Sequence, residues 1–238
     1  MSGRQFQTRF YALINRLLDP ALCQGCAHGL EAGQRFCANC LVELKCVNSP
    51  CTLCGLENTT KDSLCVACLY DPPRWQKLVA PLIYQGLSRD LLLQLKYAES
   101  LHPANSLVTR LIDYYRNISP APEVLLPVPL HQQRLLDRGY NQAFEIARIL
   151  SQLLDIQVDT RALRRIRDTT SQSGLSASKR RKNILHAFVY QPKTPYVHVA
   201  VVDDIITTGS TANEITKTIH SAGCPQVEIW GLARVSMV

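Results

Sequence analysis

The sequence predicts an α/β protein: a parallel sheet flanked by helices, behind a small cysteine-rich module. Three observations predict it. From Val79 to Val235, apolar β-branched runs alternate with segments of helical periodicity. The run at residues 197–202 is apolar at nearly every position, as in a strand covered on both faces. Nine of the ten cysteines fall between Cys23 and Cys68, ahead of all these runs.

The 238 residues fit one domain of ordinary size and a small module, and 46% hydrophobic content supports a core. We divide the chain into residues 1–20, 21–71 and 72–238. The first part places Phe6, Phe10, Leu13, Ile14, Leu17 and Leu18 at helical spacing, and Pro20 ends it. It reads as an amphipathic helix docked on the protein, or as a helix for a membrane surface or partner. No apolar run approaches the ~20 residues of a membrane span. The N-terminus shows no continuous apolar stretch and no small-residue cleavage site, so the expectation is a cytoplasmic protein. The net charge of +7 allows nucleic acid or polyphosphate partners without demanding them.

In the second part, Cys23 and Cys26 form one C-x-x-C pair and Cys37 and Cys40 another, ten residues apart. Cys51 with Cys54 and Cys65 with Cys68 repeat the pattern at an offset of 28. Each pair can hold one side of a tetrahedral ion, and two pairs complete a four-sulfur site. Thiolate-only ligation favours Zn²⁺, with Fe–S clusters as the alternative. Four copies argue against a redox C-x-x-C. The expectation is two structural Zn²⁺ ions. Pairing in sequence order is simplest, and an interleaved cross-brace stays open. Cys46 is a spare or buried thiol. Apolar content here is low, so the module needs its metal to fold.

Pro72-Pro73 marks the linker. Residues 79–84 read as the first strand. Leu91, Leu92 and Leu95, then Ala104, Leu107, Val108, Leu111, Ile112 and Tyr115, make two helical faces broken at Pro103. Residues 124–128 are a second buried strand, and 142–154 a helix. Residues 197–202 follow as a strand, and a helix carrying Ala212, Ile215 and Ile219 ends before Gly223. Residues 227–235 make the last strand.

The sequence VVDDIITTGST, residues 201–211, carries the most chemistry. Asp203 and Asp204 stand at the C-terminal end of a strand, the edge of an open α/β sheet where ligands sit. The paired acids can accept hydrogen bonds from two vicinal hydroxyls, as a ribose presents, or face Mg²⁺. Thr207, Thr208, Gly209, Ser210 and Thr211 form a hydroxyl-glycine loop before a helix, capped by Ser210 or Thr211. Free N–H groups at a helix N-terminus suit phosphate. A strand-turn-helix connection whose acids only cap it is the plain alternative.

This stretch resembles the phosphoribosyl-pyrophosphate (PRPP) motif of the type I phosphoribosyltransferases. The resemblance implies that Asp203 and Asp204 hold the ribose hydroxyls. It implies that Ile205, Ile206 and the loop from Thr207 to Thr211 complete the PRPP site, with Mg²⁺ accompanying the ligand.

Two further stretches add to it. Residues 127–142, PVPLHQQRLLDRGYNQ, carry Arg134, Arg138, Gly139 and Asn141 after a strand end and can wrap a second anion such as pyrophosphate. Residues 164–183 hold seven Lys or Arg, among them Arg180 and Arg181, with Gln172 and Asn183 between or after them. That segment suits a mobile lid over a polyphosphate or a nucleic acid surface. Solvated basic loops are the plain reading of both.

Together with the C-x-x-C pairs and the L-K-Y at residues 95–97, these motifs resemble the ComF/GntX family, over nearly the whole chain from Leu22 onward. That family is associated with DNA uptake in natural transformation, and its C-terminal domain is of phosphoribosyltransferase type. The resemblance implies that Arg138, Asn141, Gln172, Arg180 and Asn183 belong to the substrate face. It leaves three classes of function: a protein of transformation that binds single-stranded DNA through the zinc module, the basic segment or both, with PRPP as a ligand or a relic; a phosphoribosyltransferase on an unknown acceptor; and a PRPP-sensing regulator. Competence-machinery proteins and a second copy of the chain are the implied protein partners. Aromatic residues are only 7% and absent from 164–183, which argues against base stacking in that segment and for electrostatic contact.

Overall fold

The computed structural model of the protein describes residues 22–31, 33–58, 64–97, 102–131, 135–136, 139–167 and 184–236. The helix expected over residues 1–20 lies outside them, as do Arg134, Arg138 and the basic stretch from 168 to 183. Among the described residues, no helix is long and apolar enough to cross a membrane.

Two short helices belong to the cysteine repeats: α1 (Ala38–Glu43) and α2 (Val66–Tyr70). The remainder runs β1 (Lys77–Val79), β2 (Leu82–Ile83), α3 (Gly86–Tyr97), α4 (His102–Arg116), β3 (Val124–Pro127), α5 (Gln142–Leu154) and β4 (Gln157–Val158). It continues with β5 (Leu163–Arg165), β6 (Phe188–Tyr190), β7 (His198–Ile206), α6 (Ser210–Ser221) and β8 (Gln226–Arg234).

The expected parallel sheet is present. Its strand order is β1-β8-β7-β3-β4, with β2 also on β8, and every pairing is parallel. β5 and β6 form a separate antiparallel pair. The sheet is apolar on both sides because both are covered. Ala200, Val202, Trp230 and Leu232 pack with Leu91, Leu107, Leu111, Ile146 and Leu150 of α3, α4 and α5. Val199, Val201, Val227 and Ile229 pack with Ile215 and Ile219 of α6 and with Phe188 and Tyr190 of β6.

The structure departs from the sequence reading at several ends. The first strand is two pieces on one neighbour, because Pro81 has no N–H to continue the ladder. The two helices expected around Pro103 are present, and Pro103 itself sits in the first turn of the second, α4, where no N–H is required. Asp203 and Asp204 lie within β7 rather than after it. β4, β5 and β6 were not foreseen.

Alternation along β7 slips by one residue across the two acids. Val202 and Ile205 face one core, and Val201 and Ile206 the other. The local cause is visible: Asp204 N donates to Asp203 Oδ1 at 2.9 Å, and Ile205 N to Asp204 Oδ1 at 2.8 Å. The two carboxylates thus bind backbone at the mouth of the sheet.

The second cysteine repeat and the chain after α1 cover the outer edge of the sheet, which would otherwise be open to further pairing. Val47 N donates to Pro81 O at 2.8 Å, Ile83 N to Lys45 O at 2.9 Å, and Leu78 N to Thr52 O at 2.9 Å.

α5 starts where the sequence places it. The Asn141 side chain accepts from Ala143 N at 3.0 Å and donates to Val128 O at 3.0 Å, so it caps the helix and ties it to the end of β3. Asn141→Ala should lower the unfolding free energy by about 1 kcal/mol, measured by urea denaturation. An unchanged midpoint would show that the cap contributes nothing.

Candidate functional site

The site is built at the C-terminal end of the central strand. β7 runs between β3 and β8, and all three end on the same side, as parallel strands must. Asp203 pairs with Gly231 of β8, whose lack of a side chain lets the strands close: a Cβ there would meet Ile206 Cγ1 at 3.0 Å. The Tyr115 hydroxyl of α4 donates to Gly231 O at 2.7 Å from within the core.

After Ile206 the chain turns through Thr207, Thr208 and Gly209 into α6. Gly209 is the N-cap, at φ +75°, and Ser210 is the first helical residue. This corrects the expectation that Ser210 or Thr211 caps the helix. A tight left-handed turn replaces a side-chain cap, and Asn213 N donates to Gly209 O at 2.8 Å to start the helical ladder. Thr208 and Ser210 share a hydroxyl hydrogen bond of 2.8 Å.

Asp203, Ile205, Ile206, Thr207, Gly209 and Thr211 line a small open depression, with Val128 and Ala212 beside them. Six of the nine residues expected at the PRPP site therefore contribute atoms to the wall of one hollow, Ile205 and Ile206 from opposite sides of the strand. Asp204 sits beside it with a carboxylate oxygen on Ile205 N. The arrangement is a half-buried carboxylate pair, a glycine turn and the start of a twelve-residue helix around one small space. It suits a ligand with hydroxyls at one end and a phosphate at the other.

Gly139 and Asn141 lie behind β3, beside this mouth. Gly139 holds φ +76°, and the Tyr140 hydroxyl donates to Leu95 O of α3. Gln142 Nε2 reaches the same carbonyl at 3.4 Å. Arg134, Arg138, Gln172, Arg180, Arg181 and Asn183 lie outside the described residues. The chain that follows them is tied to the site: His186 N donates to Glu214 Oε1 of α6 at 2.7 Å.

The cysteines gather in two clusters in sequence order. Cys23, Cys26, Cys37 and Cys40 form one, and Cys51, Cys54, Cys65 and Cys68 the other, with the sulfurs of each within 4.8 Å of one another. The repeat extends to the backbone. Cys37 N donates to Cys23 Sγ at 3.2 Å, and Cys65 N to Cys51 Sγ at 3.3 Å. Cys37 and Cys65 are the N-caps of α1 and α2, and Cys40 and Cys68 follow within those helices.

The thiols of each cluster differ in their surroundings. Burial opposes ionisation of Cys23 and Cys51, but backbone hydrogen bonds outweigh it and bring them down to about 6 and about 7. Burial pushes Cys54 up to about 11, with neighbouring thiols adding to it. Cys40 and Cys68 are pushed up by burial and by the other sulfurs. Four thiolates at this spacing repel one another unless a cation joins them, so the donor set fits a tetrahedral Zn²⁺.

Two residues that the sequence reading missed join the second cluster to the depression. Trp75 Nε1 donates to Leu53 O inside the Cys51–Cys54 turn, and its ring covers Gly209, where a Cβ would meet Trp75 Cη2 at 2.9 Å. Arg234, at the end of β8, donates to Cys54 O at 2.8 Å, to Ile206 O at 3.0 Å and to Thr207 O. Burial lowers the pKa of its guanidinium, and the Cys54 and Cys68 thiols oppose that. A signal existed for Arg234: it is the one basic residue in an apolar strand, and a buried charge requires partners.

No family model matches the chain. Among curated proteins it is 36% identical over 220 residues to Competence protein F of Haemophilus influenzae, covering 89% of this chain and 95% of that protein. It is 34% identical over 224 residues to the DNA utilization protein YhgH of Escherichia coli K12, covering 92% and 99%. The chain belongs to the Competence protein F and YhgH family. The ComF/GntX resemblance read from its motifs holds over most of its length.

Solved structures similar to it include an adenine phosphoribosyltransferase from Leishmania tarentolae, at 15% identity and TM-score 0.36, covering 57% of this chain and 72% of that one. Another is a glutamine PRPP amidotransferase from B. subtilis complexed with ADP and GMP, at 15% identity and TM-score 0.40, covering 59% and 30%.

The two clusters should hold about two zinc ions per chain. Cys51→Ser should halve the zinc measured by mass spectrometry of the folded protein. Wild-type protein that folds without zinc would contradict the assignment.

Proposed function

We propose that this protein binds PRPP at residues 203–211 and acts in the use of incoming DNA, as the names of its relatives imply for them. The observation that carries the ligand is the hollow at the end of β7, where paired acids, a glycine turn and a helix start meet. Asp203 and Asp204 accept hydrogen bonds from the ribose 2- and 3-hydroxyls. N–H groups from Thr207 to Thr211 surround the 5-phosphate, helped by the Thr207 and Thr211 hydroxyls. Mg²⁺ accompanies the pyrophosphate and supplies charge neutralisation. The family resemblance assigns Arg134, Arg138, Gly139 and Asn141, with Gln172, Arg180, Arg181 and Asn183, to the pyrophosphate.

The DNA contact is electrostatic in this reading. Seven Lys or Arg within residues 164–183 and a net charge of +7 support single-stranded DNA binding that weakens with salt. Catalysis on an acceptor would use the same residues to position C1 of the ribose and stabilise the leaving pyrophosphate. A PRPP-sensing role would couple the two ligands without turnover. We place the protein in the cytoplasm, where thiol-ligated zinc persists.

Calorimetric titration of the zinc-loaded protein with PRPP and Mg²⁺ should give saturable binding. Asp203→Asn combined with Asp204→Asn should weaken it at least 100-fold, while the circular dichroism spectrum stays unchanged. Equal affinity in the double variant would remove the carboxylates from the ligand site.

A further inference from the structure

Arg234 is 4% exposed, and its guanidinium is shared among four carbonyls. Nε donates to Cys54 O, while Nη1 donates to Ile206 O, to Thr207 O, and to Val235 O at 3.3 Å. Carbonyl dipoles solvate a cation but do not neutralise it. Among the described residues no carboxylate forms an ion pair with Arg234. The turn that Arg234 holds through the Cys54 carbonyl carries the Cys54 thiol, one of four in the second cluster that become thiolates when they ligate an ion. A divalent ion with four thiolates carries a net charge of −2, so a filled cluster supplies the missing countercharge.

The other side of the guanidinium sets the loop. A trans peptide holds its C=O and N–H in opposite directions. Holding the Ile206 and Thr207 carbonyls therefore directs the Thr207 and Thr208 N–H groups away from Arg234. Trp75 adds a second tie, from Leu53 O in the same cysteine turn to the face of Gly209. The first cluster is placed differently: its Cys23 and Cys40 pack in the core with Phe36, Leu44 and the leucines of α3.

We propose that Arg234 is a positioning residue that makes the anion loop depend on the metal in the second cysteine cluster, and not on the metal in the first. The inference rests on the phosphate reading for the identity of the ligand, but not for the geometry of the tie. Losing the ion from Cys51, Cys54, Cys65 and Cys68 leaves Arg234 without its countercharge and frees the Cys54 carbonyl. The guanidinium then leaves the Ile206 and Thr207 carbonyls, and the loop loosens.

Two backbone bonds report on the loop: Val235 N to Ile206 O at 3.0 Å and Asn213 N to Gly209 O at 2.8 Å. A third, Val128 N to Val202 O at 2.8 Å, reports on the sheet below it. Hydrogen exchange at these amides should be measured in zinc-loaded wild type, Arg234→Lys and Cys26→Ser. Each protein is also assayed for zinc and titrated with ribose 5-phosphate. Arg234→Lys keeps the charge but loses the fork of donors. It should exchange at Val235 and Asn213 at least tenfold faster, keep Val128 protected, retain zinc and bind ribose 5-phosphate at least tenfold more weakly. Cys26→Ser should lose the first ion and leave the loop amides as in wild type. Chelating the remaining ion from Cys26→Ser should then loosen the same two amides in step with zinc release.

Wild-type exchange at Val235 and Asn213 in Arg234→Lys would overturn the proposal. So would loop amides that stay protected after the second ion is removed. A wild-type protein that ignores ribose 5-phosphate would sink the phosphate reading instead, and the exchange data would still decide the tie. Should Arg234→Lys fail to fold, the chelation of Cys26→Ser decides alone.

Discussion

The pairing of β7 with β8 is the constraint on which the rest depends. The two strands run in continuous parallel register from His198 against Gln226 to Ile206 against Arg234. Both are covered on both faces, so every residue from Val199 to Val202 is apolar and buried. A register set this firmly fixes where the strands end. It puts Asp203 against Gly231, and the turn at Thr207 to Gly209 beside the end of β8. Burial thus becomes geometry, and geometry places the polar groups at one mouth.

The cysteine repeats take their place from the same sheet. A parallel sheet with an exposed edge strand invites further pairing. Here Thr52, Lys45 and Val47 close the edge through backbone bonds to Leu78, Ile83 and Pro81. That contact brings the turn of the second C-x-x-C pair next to Trp75 and Arg234, within reach of the loop. The two repeats share their internal hydrogen bonds but not their surroundings. The second cysteine cluster and the hollow at the end of β7 are therefore neighbours, with two buried side chains between them.

Much of the fold was legible in residue pattern. Long, strongly periodic elements read well: α5 spans the residues its periodicity marks, and β3, β7 and β8 lie where the apolar runs are. The short elements did not. β4, β5 and β6 have two or three residues each, too few to show a period, and form only because the chain around them is already placed. The cap of α6 was misread because Ser and Thr are common caps, whereas the turn here needs the left-handed conformation that Gly209 supplies. The candidate site was proposed from a run of adjacent residues, 203–211, and six of them line one hollow. Trp75 and Arg234 were not legible, since their partners lie as many as 180 positions away along the chain and meet them only through the fold. A single basic residue in a largely apolar strand was the one available sign.

The most direct test is the amide spectrum of the ¹⁵N-labelled, zinc-loaded protein during titration with ribose 5-phosphate. The account predicts saturable shifts at Thr207, Thr208, Gly209, Ser210 and Thr211, with smaller ones at Asp203 and Asp204. Shifts confined to other surfaces, or none at concentrations that saturate a phosphate site, would contradict it.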